Sequence, residues 1–270
     1  MTSHPSSKVH DRPRRIRVGR LPVDVLTFEG ALSAVLDLSD AGKGGFVVTP
    51  NIDHVVLAEE NPAFLAAYEA ASLSLADGFP VVVTSKLMPT PLPAKVSGSD
   101  LVPPLVSLCE RQKKSVYLLG AGPGVAELAA KKLVEKHPKL VIAGIDAPMV
   151  DLSKPKESRA DIVARVVAAK PDIVLVAFGA PKQELFCHEI AEAVAPAVLL
   201  GIGATLDFIA GSVTRAPAWM SRSGLEWAYR LGQEPRRLFH RYFVRDPQFL
   251  GIVFRQYLED RRAGRGFGQA

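Results

Sequence analysis

Residues 115–138 read Ser-Val-Tyr-Leu-Leu-Gly-Ala-Gly-Pro-Gly-Val-Ala-Glu-Leu-Ala-Ala-Lys-Lys-Leu-Val-Glu-Lys-His-Pro. The short apolar run from Ser115 to Leu119 predicts a buried strand. Gly120 to Gly124 supplies a tight turn, and the alanine-rich stretch after it predicts a helix that His137-Pro138 ends. A strand, a glycine turn and a helix in that order form one unit of a parallel sheet covered by helices.

The same unit recurs outward in both directions. Upstream, Gly45 to Val48 predicts a strand and Asp53 to Ala71 a helix. Ser72 to Ala76 predicts a strand that stops at Asp77-Gly78, before a helix over Phe79 to Met88. A proline-rich loop from Pro89 to Gly98 precedes a helix over Ser99 to Gln112. Downstream, strands are predicted at Leu140–Ile145, Asp172–Phe178 and Ala197–Ile202, with helices at Glu157–Lys170 and after Gln183. The fold class is therefore α/β: a Rossmann-like, mostly parallel sheet with flanking helices. After Gly211 amphipathic stretches rich in arginine and aromatics, Trp219 to Gly232 and Arg236 to Arg262, predict a C-terminal arginine-rich helical appendage. The expected division is a disordered basic tail over 1–17, a catalytic core over 18–211, a membrane-facing, site-closing appendage over 212–262 and a disordered tail over 263–270.

A chain of 270 residues, 48% hydrophobic and 23% charged, has the composition of an ordinary globular protein. No apolar run reaches the roughly 20 residues that span a bilayer, and the N-terminus lacks the apolar stretch of a secretory signal. Cys109 and Cys187 lie far apart and read as buried thiols of a reducing compartment. The net charge of +5 conceals a polarity: residues 1–20 carry +5 and residues 213–270 carry +6, leaving the middle at −6. The eleven arginines of the last segment, with no lysine among them, suit either nucleic acid or an anionic membrane surface.

In open α/β sheets ligands bind beyond the carboxyl ends of the strands. Thr49, Asn51, Asp77, the loop of Gly120, Gly122 and Gly124, Gln183 and Asp207 all fall there. Asp77-Gly78 reads either as a turn with a cap or as a general base able to take a hydroxyl proton. Thr49-Pro50-Asn51 reads either as the start of a helix or as a pair of polar groups orienting a sugar. The glycine loop can present backbone N–H groups to phosphate, but its spacing departs from the dinucleotide fingerprint, with Val125 where the third glycine belongs. Lys95 is either a solvated loop residue beside a helix capped by Ser99 or Asp100, or a cation for a leaving diphosphate. Cys187, His188 and His54 read as structural.

There is no Asp-x-Asp and no His/carboxylate cluster at metal spacing, so neither metal nor cofactor is expected. Arg215, Arg222, Arg230, Arg236, Arg237 and Arg241 are the cations available for a diphosphate, or else line a solvated helix. Two rival readings stand beside a sugar transferase: a nucleotide-sugar or NAD-dependent oxidoreductase or epimerase, and a basic membrane or nucleic-acid adaptor. The core lacks a basic, aromatic-interleaved stripe, which argues against nucleic acid as a partner.

The segments 49–56, 75–78, 91–101, 118–133, 177–186, 201–211 and 215–238, in this order, resemble the WecG/TagA/CpsF glycosyltransferases of enterobacterial common antigen, wall teichoic acid and exopolysaccharide synthesis. The resemblance implies an inverting, metal-independent transfer from a UDP-sugar, with UDP-ManNAc-like, UDP-ManNAcA or UDP-glucose donors. The implied acceptor is a polyprenyl-diphosphate-linked saccharide, and the implied location is the inner face of the plasma membrane. It puts the base on Asp77, supporting polar groups on Thr49, Asn51, Gln183 and Asp207, and diphosphate-binding arginines on Arg230 and Arg237. Lys95 stands where relatives commonly carry arginine, keeping the charge without the bidentate geometry. Asp146 to Asp151 departs from the aromatic stretch of relatives. The oligomeric state, a homo-oligomer included, stays open.

Overall fold

The computed structural model describes residues 13–217, 219–220 and 225–269, with the side chain of Arg237 outside the description. Six parallel strands form the central sheet in the order β4-β3-β8-β7-β5-β6. They are β3 (Gly45–Val48), β4 (Leu73–Ser74), β5 (Ser115–Gly120), β6 (Val141–Asp146), β7 (Ile173–Ala177) and β8 (Val198–Gly201). Both faces of the sheet are covered, which is why its inner strands are written as unbroken apolar runs. Alternate residues feed two cores. Tyr117, Leu119, Val174, Val176 and Leu199 enter one, while Val116, Leu118, Ile173, Leu175 and Leu200 enter the other.

Against the first face lie α2 (Ile52–Glu60), α3 (Pro62–Ala70), α7 (Ala160–Ala169) and α8 (Lys182–Ile190). Against the second lie α1 (Phe28–Asp40), α5 (Gly98–Gln112), α6 (Val125–Lys136) and α9 (Thr205–Ala210). The single helix expected over Asp53 to Ala71 is broken at Asn61-Pro62. Pro62 has no N–H to continue the ladder, and the Asn61 side chain accepts from Phe64 N at 3.0 Å, starting a new helix. Among the described residues there follow α4 (Phe79–Ser85), a 3-10 turn at Lys156–Arg159, α10 (Glu226–Gln233), α11 (Pro235–His240) and α12 (Gln248–Arg262), with a π-helical turn at Arg241–Arg245.

The two tails expected to be disordered are built into the fold wherever they are described. Arg15–Val18 (β1) pairs antiparallel with Leu21–Asp24 (β2). The buried Asp24 carboxylate accepts from Arg15 Nε at 2.6 Å and from Ser74 N at 2.7 Å, tying the hairpin to the sheet's edge. At the other end Phe267 is buried against Tyr257, with ring centroids 5.6 Å apart. Gly268 accepts from Arg17 N at 2.9 Å and donates to Asp260 Oδ2 at 2.9 Å. A buried aromatic, one backbone–backbone bond and one bond to a buried carboxylate offset the entropy lost in ordering this end. Residues 1–12 and Ala270 lie outside the described residues.

Candidate active site

β4 is one of the sheet's two edge strands, and the chain beyond it leads to Asp77. Asp77 N donates to Pro50 O at 2.8 Å, so the Asp-Gly turn lies against Thr49-Pro50-Asn51. Gly78 holds φ at +106°, a conformation that side chains resist, and it turns the chain directly into α4. The proline-rich loop returns alongside, with Val96 N donating to Ala76 O at 2.6 Å, and this brings Lys95 to Asp77. Burial raises the Asp77 carboxyl to about 6. Lys95 and Arg230 pull it down, and Glu226 and Asp100 push it up.

Lys95 is itself held by Asp100, Nζ to Oδ2 at 3.0 Å. Asp100 accepts from Ser97 Oγ at 2.7 Å and from the Arg215 guanidinium, whose Nη1 also donates to Ser99 O at 3.3 Å. Burial works to raise the Asp100 carboxyl, but Arg215, Ser97 and Lys95 outweigh it and hold it at about 2. The cap of α5 is Ser97, accepting from Asp100 N at 3.3 Å, rather than the expected Ser99 or Asp100. The Ser97 hydroxyl thus accepts from the backbone N–H of Asp100 and donates to the carboxylate of the same residue, fixing both at the start of α5.

Thr49 is buried, and Asn51 caps α2 by accepting from His54 N at 3.2 Å. Asn51 Nδ2 faces His54 Nε2 at 3.4 Å, and His54 Nδ1 faces Tyr68 OH at 2.6 Å. Burial and the nearby Arg241 lower the His54 pKa to about 3, so the ring is neutral. A neutral ring accepting at Nε2 and donating from Nδ1 fits both contacts. His54 therefore fastens the Asn51 side chain, a link only visible once α2 and α3 are packed. The appendage reaches the same place. Arg241 Nη2 approaches Asn51 Oδ1 at 3.4 Å, and Asp53 meets Arg241 Nε at 3.3 Å and Arg245 Nη1 at 3.1 Å. Part of the appendage's positive charge is thus matched to the acidic body.

Gln183 lies deeper than a ligand contact. It is 3% exposed; its Nε2 donates to Glu184 Oε1 at 2.8 Å and its Oε1 accepts from Gly203 N at 3.0 Å. It secures the turn between β8 and α9, from which Asp207 projects. A cavity of about 160 Å³ is lined by Ala204, Asp207, Val213, Arg230, Gln233 and Glu234. Arg230 also stacks over Phe208 at 5.8 Å and acts electrostatically on Asp77, so α10 connects Asp207 with the Asp-Gly turn. A larger cavity, about 300 Å³, lies among Arg14, Pro89 and Phe267 on the hairpin side, away from the strand ends that carry these groups. Gly120 (φ +109°) closes against Ala177, where an added Cβ would stand 2.8 Å from the carbonyl oxygen. Four strand spacings separate its loop from Asp77, about 19 Å. A ligand touching both must lie along the sheet edge. Arg237 belongs to α11, but its side chain, like Arg222, falls outside the described residues.

The profile of the Glycosyl transferase WecG/TagA/CpsF family matches residues 16–263. The chain belongs to this family. It is 35% identical over 198 residues to an N-acetylglucosaminyldiphosphoundecaprenol N-acetyl-beta-D-mannosaminyltransferase of Bacillus spizizenii, covering 73% of this chain and 75% of that protein. To a protein of the same description from Bacillus subtilis it is 31% identical over 194 residues, covering 72% and 73%. The protein is accordingly a glycosyltransferase, and the oxidoreductase and adaptor readings fall away.

Within this transferase three further groups, Asp100, His54 and Glu184, border the site. In the sequence Asp100 offers only a helix cap, and its i, i+5 relation to Lys95 is the signal of the ion pair. His54 carried the signal of a histidine three residues after a capping asparagine. Glu184 is fully buried, with burial raising its carboxyl to about 7, and its Oε2 has no hydrogen-bond partner among the described residues. Nothing in the local pattern announces that.

Proposed function

We propose that this transferase moves a sugar from a UDP-sugar to a hydroxyl of a polyprenyl-diphosphate-linked saccharide, with inversion at the anomeric carbon and without a metal ion. The relatives' names supply the classes of sugar and acceptor: N-acetylmannosamine onto an N-acetylglucosaminyl-diphosphate lipid. UDP-ManNAc is the first donor to try, before UDP-ManNAcA and UDP-glucose.

The observation that carries this reading is the half-buried Asp77, at a strand end, under the influence of Lys95 and Arg230 with its carboxyl near 6. A base of that strength is ionised at neutral pH and still takes up a proton readily. In the proposed step Asp77 receives the acceptor's hydroxyl proton while that oxygen attacks the anomeric carbon. The bond from that carbon to the diphosphate oxygen breaks, and UDP leaves with the electron pair. Arg230, Arg237 and Lys95 stabilise the departing charge, as preorganised cations do. Thr49 and Asn51 orient the sugar, Asp207 and the Gly120–Gly124 loop hold the donor farther along the edge, and Gln183 shapes the turn beneath it.

A peripheral membrane location fits the same reading. Among the described residues no helix is long and apolar enough to cross a membrane. The appendage instead exposes Trp227, Phe239, Phe243, Leu250 and Phe254 among its arginines, the composition of an interfacial surface. Asp77→Asn tests the central claim. With a short-chain lipid acceptor, turnover should fall about 10²–10⁴-fold while UDP binding persists. Near-full turnover would overturn the role of Asp77.

A further inference from the structure

Helix α4 begins at Phe79, two residues beyond Asp77, and its sequence Phe-Pro-Val-Val-Val-Thr-Ser contains no charge. Its inner face is settled, with Val81, Thr84 and Ser85 buried. Its outer face is not. Phe79, Val83 and, just past the helix end, Leu87 recur every four residues and are 46%, 39% and 74% exposed. A helix on the surface of a water-soluble body normally puts polar residues on that stripe.

We propose that the α4 stripe is a bilayer-contact surface, separate from the C-terminal appendage, that sets the mouth of the active site at the height of the acceptor's headgroup. The proposal rests on the reading of Asp77 and a lipid-linked acceptor given above. Three features favour a bilayer over other occupants. The stripe is continuous with the site, since only Gly78 separates Asp77 from Phe79. Basic residues surround its far end: Lys86 is exposed beside Leu87, and Pro89 and Met88 pack against Gly266 and Gly268, next to exposed Arg261, Arg262 and Arg265. Apolar residues edged by lysine and arginine suit an anionic interface.

The third feature is one of lengths. At 1.5 Å per residue, Val83 and Leu87 lie about 6 and 12 Å along the axis from Phe79. The polar layer of a bilayer is roughly 5–8 Å thick on each side. Seating Leu87 at the acyl boundary with the axis inclined to the membrane plane leaves Phe79 within that polar layer and Asp77, two residues before it, at the layer's outer part. A sugar joined to its lipid through a diphosphate presents its hydroxyls there.

The test uses the full chain with Phe79→Ser, Val83→Ser and Leu87→Ser together. Co-flotation with vesicles of mixed zwitterionic and anionic phospholipid should fall at least tenfold, while turnover on a water-soluble short-chain acceptor stays within twofold. A second measurement does not depend on how the triple variant folds. Cys109 and Cys187 are both buried, so Leu87→Cys can be labelled selectively with an environment-sensitive fluorophore, whose emission should shift to the blue on adding vesicles. Unchanged flotation together with an unshifted probe would overturn the proposal. So would sedimentation showing that the stripe holds two copies of the chain together. Retained vesicle binding with selective loss of long-chain acceptor turnover would equally overturn it, assigning the stripe to the prenyl chain instead. Failure of the Asp77 reading is separable, because it would appear as undiminished turnover in Asp77→Asn with flotation untouched.

Discussion

Replacing Lys95 by glutamine should move the acid limb of the pH–rate profile upward. Burial raises Asp77 to about 6 against the opposing pull of Lys95, so removing that cation raises it further. An opposite charge within about 4–6 Å shifts a carboxyl by 1–3 units, and Asp100 already compensates part of this lysine, so about one unit, or about 1.4 kcal/mol, is a fair expectation. If the ionised carboxylate is the working form, its fraction at pH 6.5 falls from about three-quarters to about one-quarter for a one-unit rise. The variant then loses about threefold in kcat/KM at pH 6.5 beyond any loss that persists at pH 8.5, where both carboxyls are ionised. Asp100→Asn supplies the opposite sign. It removes a neighbouring negative charge and frees Lys95, so the limb should move to lower pH. Profiles of kcat/KM on a short-chain acceptor, at saturating donor, read both shifts. An acid limb that stays put in both variants, or moves down in Lys95→Gln, would refute Asp77 as the titrating base.

Glu184 makes a prediction about stability. Its carboxyl is raised by burial from 4.5 to about 7, so its contribution is fully present below about 4.5 and is lost as pH rises through 7. Glu184→Gln keeps the acceptor for Gln183 Nε2 and should be more stable than the parent at pH 8, by at most about 3 kcal/mol, with the gain fading toward pH 5. A pH-independent difference in thermal unfolding would contradict this. Asp53→Asn should loosen the appendage by about 1–2 kcal/mol, because two partly exposed guanidinium groups lose their shared charge partner. Limited proteolysis within 226–262 should then quicken about tenfold, and unchanged cleavage would count against these ion pairs holding the appendage. With no Asp-x-Asp in the chain and arginines beside the site, turnover is expected to survive EDTA. Loss of activity that manganese restores would disprove metal independence.

Much of the sheet could be read directly, because a parallel strand buried on both faces must be apolar throughout and end in a turn that releases a helix. The runs at 45–48, 115–119 and 172–178 needed no tertiary information, and neither did the gathering of Thr49, Asn51, Asp77, Gln183 and Asp207 at one sheet edge, which follows from parallel direction alone. What the local pattern could not supply was which strands are neighbours and which side chains are already occupied. Packing consumes both Gln183 groups, joins His54 to Tyr68 across two helices and pairs Arg215 and Arg241 with acids more than a hundred residues away. The tails illustrate the same division, since Arg15 donates to Ala71 O and Ser72 O, and Arg17 N to Gly268 O, all more than fifty residues away. Period and turn chemistry are properties of adjacent residues and are written in order along the chain. Burial and charge pairing are properties of distant residues, and they exist only once the chain has folded.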